Sequence, residues 1–331
     1  MKRTCVFTLL LTVSVCLTAQ VQPVGGKGFS LSLAPSLGLL NGVAEEIVYY
    51  KKGSKGKLSQ LLWNMNPLVY AGVDINFDWR RPGNRLGLFV GSSFKRGIPM
   101  ETGIMEDRDW TGYNSNGVWL SDFLTHYSVH DNNTDNALLI DADFGLSFKV
   151  SETYSLRAYM TYDYMTFLWT ARGGSLLYPA EDTDKDGDLD QRHYYLPNSR
   201  QAVGTYKQTW HIVSPGIAFY GKFNRFFDID ISLKISPLVW LDTVDEHLLR
   251  DLTIEDSMSF GFFIEPMIVF SFTPRGNVAL SLAVSYTNMS GLRGDSVYKQ
   301  QGEQTIKHQD VGGAGYRVFD IGLTVRYKVL W

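Results

Sequence analysis

Residues 139–150 read LIDADFGLSFKV. Along an extended chain Ile140, Ala142, Phe144, Leu146, Phe148 and Val150 fall on one side, and Asp141, Asp143, Gly145, Ser147 and Lys149 on the other. Period-two alternation marks a strand with two unlike faces. The run is also as long as a tilted strand crossing a bilayer requires, about 9 to 11 residues. FFDIDISLKIS (226–236) repeats the pattern, with Phe227, Ile229, Ile231, Leu233 and Ile235 opposing Asp228, Asp230, Ser232, Lys234 and Ser236, and AGVDINFDW (71–79) repeats it again. A soluble sandwich alternates too, but its strands run about 5 or 6 residues and its polar face meets bulk water. Long strands with charge on one face favour a barrel with lipid outside and a polar lumen.

Composition agrees with that reading. Aromatic residues make up 14% of the 331, which suits a sheet with aromatic girdles. With 31 Lys plus Arg against 34 Asp plus Glu, nothing marks the chain as a nucleic-acid binder or a disordered acidic tail. MKRTCVFTLLLTVSVCLTAQ (1–20) places Lys2 and Arg3 before a short apolar run and the small residues Thr18 and Ala19, the anatomy of a cleaved signal peptide. A lipoprotein signal at Cys16 is the competing reading, disfavoured by the bulky Val15 before it. Both cysteines lie in this segment, so the mature chain, one barrel domain over 21–331, has none. After the signal no run of about 18 apolar residues remains, and membrane crossing falls to strands.

Ten strand-like segments follow, near 29–41, 68–80, 85–96, 136–150, 154–170, 203–223, 226–241, 257–273, 277–289 and 316–331, the last ending on the aromatic Trp331. An even number suits a ten-stranded antiparallel transmembrane β-barrel. Short connections, RRPGN, SET, KFNR and TPRGN, read as periplasmic turns. The long ones, near 42–67, 97–135, 171–202, 242–256 and 290–315, read as extracellular loops.

Two of those loops concentrate charge. EDRDW (106–110) holds Asp107 and Asp109, and by itself an acidic rim is ordinarily a solvated face. DTVDEHLLRD (242–251) sets Asp245 and His247 two residues apart on another strand end, where alternation points both to one side. An Asp beside a His orients the imidazole and raises its basicity, which makes His247 a candidate general base.

Five words in order carry a family resemblance: LNGVAEEIVYYKKGSKGKLSQLLWNMN (40–66), GIMEDRDW (103–110), TARGGSLLY (170–178), YKQ (206–208) and DEH (245–247). Together they resemble the omptins, ten-stranded outer-membrane endopeptidases, from about residue 29 to the C-terminus. The resemblance implies catalysis by Asp107 and Asp109 facing Asp245 and His247, on a water at the outer mouth of the barrel. It implies no catalytic cofactor, a bacterial outer-membrane location with the site facing out, and polypeptide substrates cut near basic residues. THYSVHD (125–131) resembles the segment that sets a Ser and a His beside the cleft, here Ser128 and His130. A serine-protease reading of that pair is disfavoured because no nucleophile elbow accompanies it.

The chain also departs from the family. Glu46 matches one acid of the pocket that receives arginine, but Thr243 stands where the second is expected, and the adjacent Asp242 points away. A weaker preference for arginine follows. At the lipopolysaccharide site Tyr162, Tyr164, Thr166 and Thr209 keep only a Tyr and lack the phosphate-pairing guanidiniums, which suggests an outer membrane without conventional lipopolysaccharide or activity independent of it, with outer-membrane lipids still partners of the barrel. In DTDKDGDLDQRH (182–193), Asp182, Asp184, Asp186, Asp188 and Asp190 around Gly187 resemble half of an EF-hand calcium loop, with His193 where a Glu belongs. A solvated acidic hairpin tip is the simpler reading. The alternative function is a non-catalytic barrel acting as an adhesin or a small porin.

Overall fold

The structure is a computed structural model that describes residues 28–53, 55–110, 124–179, 191–196, 198–275 and 277–330. The signal segment and the acidic tract holding Asp182, Asp184, Asp186 and Asp188 lie outside these residues.

Fourteen strand segments form one antiparallel sheet: β1 (Phe29–Tyr49), β2 (Lys57–Trp79), β3 (Leu86–Gly97), β4 (Met100–Asp109), β5 (His126–Lys149), β6 (Tyr154–Pro179), β7 (Gln191–Tyr195), β8 (Ala202–Lys222), β9 (Phe227–Ser236), β10 (Val239–His247), β11 (Leu252–Ser259), β12 (Phe262–Arg275), β13 (Val278–Gln300) and β14 (Ile306–Leu330). They make a ring of ten staves. β3 and β4 share the neighbours β2 and β5, and are one stave interrupted at Ile98 and Pro99. β9 and β10 both pair with β8 and are parted at Pro237, which has no N–H to give a ladder. β11 and β12 both pair with β13 and are parted at Phe260, whose φ is 60°, and Gly261. β7 forms a hairpin on the outer part of β6. Pairing of β1 with β14, from Ser30 opposite Leu330 to Val48 opposite Gly312, closes the ring.

Several staves run far past the bilayer, into stretches where the sequence suggested loops. β5 and β6 stay paired from Lys149 opposite Ser155 out to Tyr127 opposite Leu177. Alternation of polarity fades there because both faces meet water or protein, while the backbone still needs its ladder partners. Within the membrane zone the outward set is Leu31, Leu37, Ile75, Phe77, Phe144 and Leu146, all exposed, while Ser30, Ser32 and Ser147 are buried inside. This inverts a water-soluble fold, because lipid takes the outer face. Aromatic pairs such as Phe29 with Trp79 and Tyr286 with Phe319 sit on that face. Inside, Lys234 bridges Asp163 at 2.8 Å and Glu265 at 2.7 Å, and Lys95 meets Asp320 at 2.6 Å.

Above these ion pairs the lumen is plugged. Phe167 stacks on Trp169 (centroids 5.2 Å apart), Trp169 lies 6.0 Å from Tyr206, and Trp63 lies 5.5 Å from Tyr206. Trp210 and Tyr316 extend the layer, and all six rings are fully buried. The plug is the floor on which the outer cleft stands.

Candidate active site

Asp107 and Asp109 end β4 on the inward side, one and two steps above Met105, which is buried on the plug. Asp107 is opposite Leu61 of β2 and Ser128 of β5; Asp109 is opposite Ser59 and His126. Across the mouth, β10 carries Leu241, Thr243, Asp245 and His247 on its inward face. Asp245 is opposite Tyr206 of β8 and Ile254 of β11, and His247 opposite Gly204 and Leu252. All four residues expected from the sequence therefore line one cleft, two from each wall.

Nε2 of His247 lies 2.6 Å from Oδ2 of Asp245, an oxygen that no other donor reaches. With Nε2 on the carboxylate, Nδ1 is left for the cleft. Burial opposes protonation of His247, but the hydrogen bond and charge of Asp245 outweigh it and raise the imidazole above its ordinary pKa. The other wall has the opposite problem. Burial first, then the charge of Asp109, pushes Asp107 up to about 7, against the pull of His247. Asp109 is raised by burial too, and Ser59 holds it back by a hydrogen bond. Oδ1 of Asp107 is buried without a hydrogen-bond partner. Arg250, in the turn after β10, adds a positive charge felt on both walls: it lowers Asp107 and Asp109 and also His247 and His126.

Glu46 points inward from β1, 1% exposed, with Oε2 unpartnered. Burial, then the charges of Asp245, Asp256 and Asp107, raises it well above the usual carboxylate range. Thr243 is buried as well, and its Oγ1 donates to Oδ2 of Asp256 over 3.0 Å. Asp242 is exposed on the outer face, as alternation requires. Asp256 was not singled out by the sequence. Its tract LTIEDSMS gives no motif, and only the register of β10 on β11, with Thr243 opposite Asp256, brings it into the cleft.

Ser128 and His130 are both buried on the inward side of β5. Nε2 of His130 is 2.9 Å from Ser128 Oγ, and Nδ1 is hydrogen-bonded to the Gly173 carbonyl. Burial lowers the pKa of His130, so the neutral ring donates from Nδ1 to Gly173 and accepts the Ser128 hydroxyl proton at Nε2. A carbonyl, not a carboxylate, backs this histidine, and Ser128 is only 2% exposed. Buried this deeply, its Oγ is poorly placed to attack a substrate carbonyl. On the outer face Tyr162 OH lies 2.7 Å from His211 Nδ1, and Thr166 meets Thr209.

The Omptin family model matches residues 28–329. The plasminogen activator of Yersinia pestis is 24% identical over 301 residues, covering 90% of this chain and 89% of that protein. Protease 7 of Escherichia coli is 30% identical over 218 residues, which span 64% of this chain and 62% of that protein. The crystal structure of the outer membrane protease OmpT from Escherichia coli superposes with a TM-score of 0.78 at 19% identity, covering 93% of this chain and 99% of that one. Ten staves, an aromatic floor and a match over nearly the whole barrel lead to one conclusion: the chain belongs to the Omptin family and is an endopeptidase of the bacterial outer membrane.

Proposed function

We propose that the chain hydrolyses peptide bonds with a water held between His247 and the Asp107–Asp109 pair, and that its substrates are polypeptides with a basic residue beside the bond. Nδ1 of His247 takes a proton from the water as its oxygen attacks the scissile carbonyl carbon. Asp245 fixes the ring and stabilises the imidazolium. Asp107, half protonated near neutral pH, donates a hydrogen bond to the developing oxyanion, and charged Asp109 holds the water. As the C–N bond breaks, His247 returns the proton to the leaving amine. The observation that carries this reading is His247, held by Asp245 over 2.6 Å on one wall, facing the buried Asp107, with an unpartnered carboxyl oxygen, on the other. Ser128 and His130 brace the wall behind Asp107. The buried Glu46 carboxylate favours a cationic side chain beneath the cleft.

A pore is disfavoured by the aromatic plug. Adhesion needs no inward-facing acid–His couple.

The pH profile tests the mechanism. Only neutral His247 accepts a proton, so kcat/KM on a quenched peptide is expected to rise with pH along a limb centred above the ordinary imidazole value of about 6.5. Asp245→Asn removes the interaction that outweighs burial, so the limb should move to lower pH while the rate falls. A limb that stays in place would remove His247 from the role of base. The acidic tract with Asp182, Asp184, Asp186 and Asp188 is proposed as no more than a structural calcium loop, to be checked by calcium titration of barrel stability.

A further inference from the structure

We propose that the periplasmic half of the lumen is a binding chamber for a phosphate group, separated from the outer cleft by the plug and independent of how that cleft works.

Below the ion pairs of Lys234 and Lys95 the lumen holds a cavity of about 890 Å³. It lies toward the short-turn ends of the staves: Arg157 is six residues before Asp163 on β6, and Asp230 four before Lys234 on β9. Small inward side chains make the space, among them Ser30, Ser32, Ser147 and Ala218. The lining is basic, with six Lys and Arg side chains against four Asp, an excess of two positive charges. Lys222 and Arg225 are exposed at the rim, while Arg80, Arg157, Arg326 and Lys328 are partly buried.

The barrel's own acids leave much of this charge unmatched. Arg157 lies 3.4 Å from Asp230, but among the described residues Arg80, Arg326 and Lys328 form no ion pair. Higher in the lumen, Asp163, Glu265 and Asp320 are taken by Lys234 and Lys95. Arg326 and Lys328, two residues apart on β14, share the inward face, where Lys328 is opposite Ser32 of β1. Arg80 donates to Ser147 Oγ over 2.9 Å, and Ser147 is opposite Arg157, so two guanidiniums flank one hydroxyl. Nε of Arg80 is buried without a hydrogen-bond partner, and a Cβ at Gly87 would stand only 3.1 Å from it. Arg80, Arg157 and Arg326 are all near enough for their charges to act on Lys328, and Asp78 opposes them.

Like charges gathered in a partly enclosed chamber repel, and a bound anion offsets that repulsion. An excess of two suits a dianion, and guanidinium forks match phosphate oxygens through paired N–H bonds. The volume also admits a phosphate carried on a larger molecule. The two sources are therefore free phosphate and the headgroup of a phospholipid in the periplasmic leaflet.

The experiment uses the full barrel refolded in a non-ionic detergent, as wild type, Arg80→Gln and the double variant Arg326→Gln with Lys328→Gln. Inorganic phosphate is titrated by calorimetry at mildly alkaline pH, where it is a dianion, against sodium chloride of equal ionic strength. Saturable binding to wild type is expected, weakened about 10-fold in Arg80→Gln and about 10- to 100-fold in the double variant, as for lost charge-assisted hydrogen bonds. Phosphate should also raise the melting temperature of wild type more than chloride does, a readout that stands even where a variant fails to refold. Dihexanoyl phosphatidylglycerol added to the micelles separates the sources: competition with phosphate assigns the lipid headgroup, and undisturbed phosphate binding assigns the free anion. Binding of neither, binding abolished by chloride at equal ionic strength, or equal affinity in wild type and the double variant would overturn the proposal.

Discussion

His247→Ala is expected to lower kcat by about 10²–10⁴-fold, toward the upper end because one ring serves as base for the water and as acid for the leaving amine. At the upper end that is about 5 kcal/mol of transition-state stabilisation. The side chain is partly buried at the end of β10 and lies outside the stacked rings of the plug, so the barrel should still migrate as a folded species in unheated detergent gels. KM should change little, since the imidazole acts on water and not on the ground state of the peptide. Asp245→Ala should fall into the same range, and the double variant should lose little more than either single one, because the two residues act as a unit. Cleavage at wild-type rate by a folded His247→Ala barrel would rule out the water-activation mechanism, and the Ser128–His130 pair would then have to be reconsidered.

Trp169→Ala is expected to destabilise the outer barrel by about 3–5 kcal/mol, the range for deleting a fully buried aromatic ring. The ring stacks on Phe167 and lies against Trp63 and Tyr206, so removing it opens a cavity in the middle of the plug. Tyr206 is opposite Asp245 on the next strand, and a loosened Tyr206 gives the acid–His couple room to drift. Activity should therefore fall even at temperatures where the barrel stays closed, since small displacements of a reacting geometry are costly. Thermal unfolding followed by near-UV circular dichroism measures the first effect, and kcat below the transition the second. A shift in stability without loss of rate would mean that the floor does not position the couple.

Much of the architecture was legible because lipid imposes a simple code. Ile140 to Val150 and Phe227 to Ser236 alternate strictly, since each side chain meets either hydrocarbon or a polar lumen, and the ring of ten staves follows from such runs. The outer extensions were not legible as strands. There the pairing of Tyr127 with Leu177, or of Leu252 with Gln300, is made by backbone groups whatever the side chains are. The four cleft residues stood out because acid two residues from acid, and acid two from histidine, put like chemistry on one face of a strand end.

The exported barrel, its strand number and the two clusters at its mouth are written in the order of residues, because alternation and two-residue spacing are local along the chain. That the clusters face each other over an aromatic floor, that His130 is backed by the Gly173 carbonyl, and that Asp256 stands beside Thr243 emerges with the folded barrel. Those facts depend on strand register and ring closure, which pair residues 13 positions apart, as for Thr243 and Asp256, or more than 260 apart, as for Glu46 and Ala314. No local pattern encodes them, because they are fixed by the simultaneous satisfaction of every ladder in the closed sheet.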